Sequence, residues 1–241
     1  MQQVDYAALA DDYARHRSVH PEVLSRLVDG LDRAMQVLEV GCGTGNYVCE
    51  IQRLVGCECT GIDPSTQMLE KLRTRGGLIR IRECPAERLA VASDSFDLTF
   101  SVDVIHHISD RASAFREAFR VLRAGGRICS VTDSEWIIRH REPLSRYFPE
   151  TVAVELGRYP AVGALRLEME CAGFDSIREE LVEFAYDLHE ADAYRNKVFS
   201  SLLFLDPEAF QRGLTRLEAD LRRGPIPCNS RYLLLWGSKS S

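Results

Sequence analysis

The stretch VLEVGCGTG, residues 37–45, constrains the fold of this chain more than any other. Its apolar half reads as a buried strand over 36–40. Three glycines, Gly41, Gly43 and Gly45, then break the strand, and residues 44–55 read as a helix that begins at the turn. Such a turn lets a ligand approach bare backbone at a helix N-terminus. A helix must then return over the sheet before the next parallel strand can start.

The following residues repeat this alternation. Strands are expected at 57–63, 78–83, 95–102 and 127–133. Helices are expected at 65–75, with Ser65 as its cap, and at 111–123, with Ala114, Phe115, Ala118, Phe119 and Leu122 on one face. Before the first strand, 5–15 and 21–31 read as helices, the second opened by Pro21. After 133 the pattern changes. Residues 134–172 look helical and irregular, punctuated by Pro143, Pro149 and Pro160. A sixth strand is expected at 174–188, helices at 190–200 and 207–222, and a seventh strand at 230–239. The expectation is an α/β, doubly wound, Rossmann-like sheet with helices on both faces, N-terminal helices before it and a helical insertion after strand five. The 241 residues suit one domain: 1–33 as N-terminal helices, 34–133 as the ligand-binding core, and 134–241 as a helical layer with the last two strands.

Two ligand classes use a glycine turn of this kind. A dinucleotide fingerprint is G-x-G-x-x-G, but here the spacing is G-x-G-x-G and Asn46 stands where the third fingerprint glycine would fall. Glu39 lies inside the strand that feeds the turn. A pyrophosphate is repelled by a carboxylate at that point, whereas a ligand carrying an ammonium and a sulfonium tolerates one. Asp63 ends the second strand, where an acid accepts hydrogen bonds from ribose hydroxyls. That serves either ligand. A short-chain dehydrogenase Tyr-x-x-x-Lys is absent: Gln67, Ala193 and Leu235 occupy the positions four before each lysine.

Four segments in order, VLEVGCGTG, GIDPSTQML, ECPAERLAVASDSFDLTFSVDVIHHI and FREAFRVLRAGGRI, resemble the class I S-adenosylmethionine-dependent methyltransferases, most nearly the small-molecule branch of the ubiquinone/menaquinone-biosynthesis type. The resemblance covers about residues 5–133. It implies a seven-stranded sheet whose last strand is antiparallel, with S-adenosyl-L-methionine as cofactor. It also implies roles for matching positions. Glu39 and the Gly41, Gly43, Gly45 turn would hold the methionine portion, Asp63 the ribose, and Pro64 and Met68 would pack on the adenine. Ala86 would offer its N–H to the adenine ring, and Ser101 its carbonyl to the cofactor amino group. YARHRSVHP resembles an N-terminal lid segment in which Tyr13 and Arg17 close over the cofactor, with Ser18 in place of the family's proline. Where the family often reads Gly-Asp-Ala, this chain has Cys84-Pro85-Ala86, so adenine recognition leans on Ala86, on a neighbour such as Glu87, or on water.

Methyl transfer is an in-line displacement in which positioning supplies most of the catalysis. A general base belongs just past the fourth strand, where Asp103-Val-Ile-His106-His107 lies, and His106 is the candidate because imidazole titrates near neutrality. The alternative role for His106 is to line the cofactor pocket. Ser101-Val102-Asp103-Val104 lacks the Asn/Asp-Pro-Pro-aromatic signature of adenine-amino methyltransferases. Net charge is −6 with no dense basic stripe, which argues against nucleic acid and anionic membranes. The expected acceptor is a small molecule, and the expected particle a cytoplasmic monomer or homodimer. Trp136, His140, Tyr147, Phe148 and Tyr159 would either line an aromatic acceptor cavity or form the core of the helical layer. None of the eight cysteines makes a C-x-x-C pair, and free buried thiols are expected, with no metal. An arsenite-type methyltransferase using Cys171 and Cys228, or a binding protein that retains cofactor without catalysis, are the alternative readings.

Overall fold

The computed structural model describes residues 19–240. The seven-stranded sheet is formed by β1 (Gln36–Val40), β2 (Glu58–Asp63), β3 (Ile79–Glu83), β4 (Phe96–Val102), β5 (Leu122–Thr132), β6 (Asp175–Leu188) and β7 (Ile226–Ser238), in the order β3-β2-β1-β4-β5-β7-β6. Pairs among β1 to β5 are parallel, and β7 runs antiparallel to β5. β1 and β4 are adjacent, so the strand order reverses between them. In a wound sheet of this kind the crevice at the carboxyl ends of those strands is where ligands bind.

Two compact units are distinguished among the described residues. The sheet-bearing unit comprises Val19–Thr132, Ala161–Val182 and Leu233–Ser240, and the helical unit comprises Asp133–Pro160 and Glu183–Tyr232. In the sheet-bearing unit, helices α1 (Pro21–Val28), α2 (Asn46–Val55), α3 (Thr66–Thr74) and α4 (Arg111–Val121) follow the expected alternation. Strands β1 and β2 are buried along nearly their whole length because helices cover both faces. β3, at the sheet edge, keeps a half-buried alternation. Leu38, Ile62, Phe115, Leu122, Leu165 and Met169 belong to one core cluster. Ser65 and Asp110 cap α3 and α4 by accepting from the Met68 and Ser113 N–H groups.

The main departure from expectation is at the start of β5. The sequence suggests helix to residue 123 and strand from 127, but the helix ends at Val121 and the chain is already extended at Leu122, which pairs with Phe96. The next pair is Leu98 with Arg127, so residues 123–126 bulge out of the pairing with β4, while Gly125 and Gly126 bond to the Lys239 backbone on the other side. Gly125 supplies the left-handed conformation this requires, with φ 79°. Lys239 straps the bulge: its Nζ donates to the Phe119 and Leu122 carbonyls at 3.0 and 2.6 Å and meets Asp94 at 2.7 Å. The connection from β3 to β4 has no helix. Arg120 instead clamps it, donating to the Leu89 and Val91 carbonyls while Glu117 accepts the Leu89 N–H.

The helical unit contains α5 (Glu135–Arg139), α6 (Leu144–Tyr147), α7 (Thr151–Arg158), α9 (Asp192–Arg195) and α10 (Pro207–Leu221), while α8 (Val162–Ala172) belongs to the sheet-bearing unit. Its core gathers Leu144, Tyr147, Phe148, Tyr194 and Leu217. The helix expected over 190–200 is divided, because Lys197 adopts φ 50° and separates α9 from a 3₁₀ turn at Ser200–Phe204. β7 starts at Ile226, four residues before the expected point.

Candidate active site

The three glycines of the turn do different work. All have positive φ: 72° at Gly41, 51° at Gly43 and 80° at Gly45. A Cβ on Gly41 would lie 2.4 Å from Val104 Cγ2, and one on Gly45 would lie 2.2 Å from Leu72 Cδ1. These two are glycine because protein atoms press against them. Gly43 has nothing within 4 Å of the same position and faces open space. It is the member of the turn that a ligand can approach. The Gly41 and Cys42 N–H groups donate to the Ile62 carbonyl at 2.7 and 2.9 Å, which ties the turn to β2.

Two carboxylates flank this turn. Glu39 is 3% exposed, and its Oε2 accepts the Val48 N–H from the first turn of α2 at 2.9 Å. Burial pushes the Glu39 carboxyl well above the usual range; the Val48 N–H opposes this, and the charge of Asp63 adds to it. Asp63 is 9% exposed, accepts the Gly43 N–H on Oδ2 at 2.9 Å and the Ser65 N–H on Oδ1 at 2.8 Å. Burial raises its pKa too, against the lowering effect of those two N–H groups. Each carboxylate oxygen of Asp63 keeps a second lone pair for a ligand hydroxyl. Two buried acids that both resist ionisation are stabilised by a positive ligand and destabilised further by a phosphate.

The remaining expected residues are distributed along the carboxyl ends of β2, β3 and β4. Pro64 is exposed, whereas Met68 is buried on the inner side of α3. Ala86 is buried and Glu87 is half-buried, its carboxylate accepting from the Ser109 hydroxyl at 3.4 Å. Ser101 pairs with Ser130 near the end of β4. His106 lies in the 3₁₀ turn Ile105–His107, half-buried, with its ring 3.9 Å from that of His107. Tyr13 and Arg17 lie outside the described residues.

Two features of this site escape a reading of the sequence. Val104 packs on Gly41 and so couples the segment after β4 to the glycine turn. Asp103, at φ 57°, holds a left-handed conformation unusual for a residue with a side chain, with its N–H bonded to the Val131 carbonyl at 3.0 Å. Its only sequence signal is its place between an apolar strand and the two histidines.

In the helical unit, Tyr147 and Phe148 are core residues: the Tyr147 hydroxyl donates to Asp220 at 2.7 Å, and Phe148 stacks on Tyr194 and Phe210. Trp136 is half exposed and stacks on His140, with centroids 4.7 Å apart. All eight cysteines are free; Cys171 is exposed on α8 and Cys228 is buried on β7. Among the described residues no group of three or more His, Cys, Asp or Glu is placed to hold a metal ion. No helix among them is long and apolar enough to cross a membrane.

Comparison with known proteins agrees with this geometry. Residues 38–130 match the family described as a methyltransferase domain. The chain is 34% identical over 125 residues to a malonyl-[acyl-carrier protein] O-methyltransferase of Legionella pneumophila, covering 48% of this chain and 44% of that one. It is 25% identical over 174 residues to the ubiquinone/menaquinone biosynthesis C-methyltransferase of Idiomarina loihiensis, covering 61% and 69%. It spans about half the length of the first of these curated relatives. Among solved structures, the YcgJ protein of Bacillus subtilis superposes with a TM-score of 0.62 at 21% identity, over 92% of this chain and 100% of that one. The Haemonchus contortus phosphoethanolamine N-methyltransferase 2, solved in complex with S-adenosyl-L-methionine, does so with a TM-score of 0.60 at 18% identity, over 91% and 52%. The glycine turn, its two flanking acids and strands β2 to β4 lie in the matched region, and this part of the chain is similar to a methyltransferase domain.

Proposed function

We propose that this protein binds S-adenosyl-L-methionine and transfers its methyl group to a small-molecule acceptor. The observation that carries the reading is the pairing of buried Glu39 and Asp63 around the open face of Gly43. That arrangement fits a ligand with an ammonium, a sulfonium and ribose hydroxyls. When bound, the cofactor supplies an electrophilic methyl on sulfur.

In this reading Glu39 and the Gly41–Gly45 turn hold the methionine portion, and Asp63 accepts from the ribose hydroxyls. Pro64, Met68, Ala86 and Glu87 surround the adenine, and the Ser101 carbonyl accepts from the cofactor amino group. Tyr13 and Arg17 serve as the closing segment. His106 follows β4 and takes the acceptor's proton as the nucleophile forms its bond to carbon. The names of the relatives, a malonyl-[acyl-carrier protein] O-methyltransferase and a ubiquinone/menaquinone biosynthesis C-methyltransferase, support an organic acceptor over a nucleic-acid base. The acidic net charge of −6 supports the same choice.

Calorimetric titration with S-adenosylhomocysteine and with NAD tests the first step. Binding of the former, silence toward the latter and loss of heat in Asp63→Ala are expected. NAD binding without S-adenosylhomocysteine binding would overturn the reading. For transfer, the readout is turnover of a methyl-labelled donor against a panel of small phenols, amines and carboxylates. His106→Ala should lower kcat about 10²–10⁴-fold while leaving cofactor affinity unchanged.

A further inference from the structure

The methyl-transfer site makes no use of the two thiols of Cys57-Glu58-Cys59. Cys57 follows Gly56, the left-handed residue that ends α2, and Cys59 is the second residue of β2. Two residues apart on extended chain, they point to the same side. Their sulfurs are 3.5 Å apart, and the residues are 3% and 1% exposed.

We propose that Cys57 and Cys59 form a two-thiol site for a trivalent, thiophilic metalloid of the arsenic(III) class. The spacing selects this chemistry over its competitors. A disulfide needs the sulfurs at about 2.05 Å, and extended chain puts Cα atoms two residues apart at roughly 6.6 Å, near the upper limit for a bridge. Tetrahedral zinc takes four ligands, with neighbouring sulfurs about 3.8 Å apart at the usual bond length of ~2.3 Å. Only two sulfurs are offered here, and the described residues hold no three-ligand group. A pyramidal trivalent centre with bonds of similar length and a bond angle near a right angle sets two sulfurs about 3.3 Å apart. The thiol pair needs almost no movement to reach that.

The electrostatics support the pair as a nucleophile. The hydrogen bond between the two thiols holds the Cys57 pKa below its ordinary value and raises that of Cys59, so Cys57 is the thiol that attacks first. Reaction with an organoarsenic oxide is a condensation. Two As–S bonds form, two S–H bonds and the As–O linkage break, and both protons leave with the oxide oxygen as water. No electrons are transferred. Because both thiols are buried, engagement waits on local opening of the Gly56–Cys57 turn and is slow.

The probe is phenylarsine oxide, one equivalent, incubated overnight with the native full chain. Intact mass should show one adduct, and the free-thiol count should fall by two. Alkylation of the treated wild type followed by peptide mapping should find Cys57 and Cys59 protected and Cys171 modified. Excess 2-mercaptoethanol should leave the adduct in place, whereas dithiothreitol should remove it. Cys57→Ser, checked for folding by circular dichroism, should lose adduct at least tenfold, and Cys171→Ser should keep it. Alkylation of Cys57 and Cys59 in the treated wild type would overturn the proposal. So would absence of an adduct, or its full retention in Cys57→Ser.

Discussion

Replacing Glu39 by glutamine should move stability and ligand affinity in opposite directions. The Glu39 carboxylate is 3% exposed and accepts the Val48 N–H at 2.9 Å. A glutamine carbonyl can accept the same bond, so the start of α2 is kept. What disappears is a buried negative charge and its repulsion of Asp63. Removing such a charge while its hydrogen bond is preserved is neutral to stabilising, on the order of 1 kcal/mol. For a chain of this size that is a rise of about 2–4 °C in the unfolding midpoint of the free protein. The cost falls on the ligand. A charge-assisted contact to an ammonium contributes about 1.5–3 kcal/mol, so S-adenosylhomocysteine should bind about 10- to 150-fold more weakly. Thermal unfolding at pH 8 gives the first quantity and calorimetry the second. A variant that unfolds earlier and binds as tightly as wild type would refute the account, because Glu39 would then be a structural acceptor alone.

The glycines should separate by role. Gly41→Ala and Gly45→Ala meet Val104 and Leu72 and should each cost about 3 kcal/mol of stability, whereas Gly43→Ala carries only the ~1–2 kcal/mol of left-handed strain yet loses S-adenosylhomocysteine binding. Affinity should also depend on pH. Glu39 and Asp63 have raised pKa values in the folded protein, so the free protein binds their protons more tightly than the unfolded chain does. Their contribution to the stability of the free protein is full below the ordinary carboxylate range, near ~4, and is lost as pH rises through the folded values. A cationic ligand prefers the ionised acids. Ligand-induced thermal shifts should therefore grow from pH 5 to pH 8, and a shift independent of pH would contradict the assignment. Arg120→Ala should free the connection between β3 and β4, lowering stability by ~2–3 kcal/mol, with faster hydrogen exchange at Leu89 as the local signature.

Much of the sheet-bearing unit is legible in the sequence because parallel strands covered on both faces read as apolar runs. Glu39 and Asp63 stand out for the same reason: each is an acid inside or ending such a run. The start of β5 is hidden because Leu122 continues the apolar face of α4 and the glycines look like a helix stop. Only the pairing of Leu122 with Phe96 shows otherwise. The separate roles of the three glycines are illegible because they depend on Val104 and Leu72, which lie 63 and 27 residues away in sequence from Gly41 and Gly45. Tyr147 and Phe148 carry no signal that distinguishes a core ring from a cavity wall, and contacts with Asp220, Tyr194 and Phe210 place them in the core.

The bulge at residues 123–126 acts as a length buffer. Upstream of it, α4 is fixed by its own packing; downstream, Thr99 to Val102 lock against Ile128 to Val131 in unbroken succession. A residue inserted anywhere within that locked ladder would invert the inward and outward sides of everything after it. A residue inserted between Arg123 and Gly125 falls in chain that does not pair with β4, ahead of the bonds of Gly125 and Gly126 to Lys239. The phase of β5, and with it the position of the segment after β4 that is hydrogen-bonded to Val131, is thereby insulated from changes in the length of the preceding connection. This short loop is where such a chain can drift in length while its ligand-facing end keeps time.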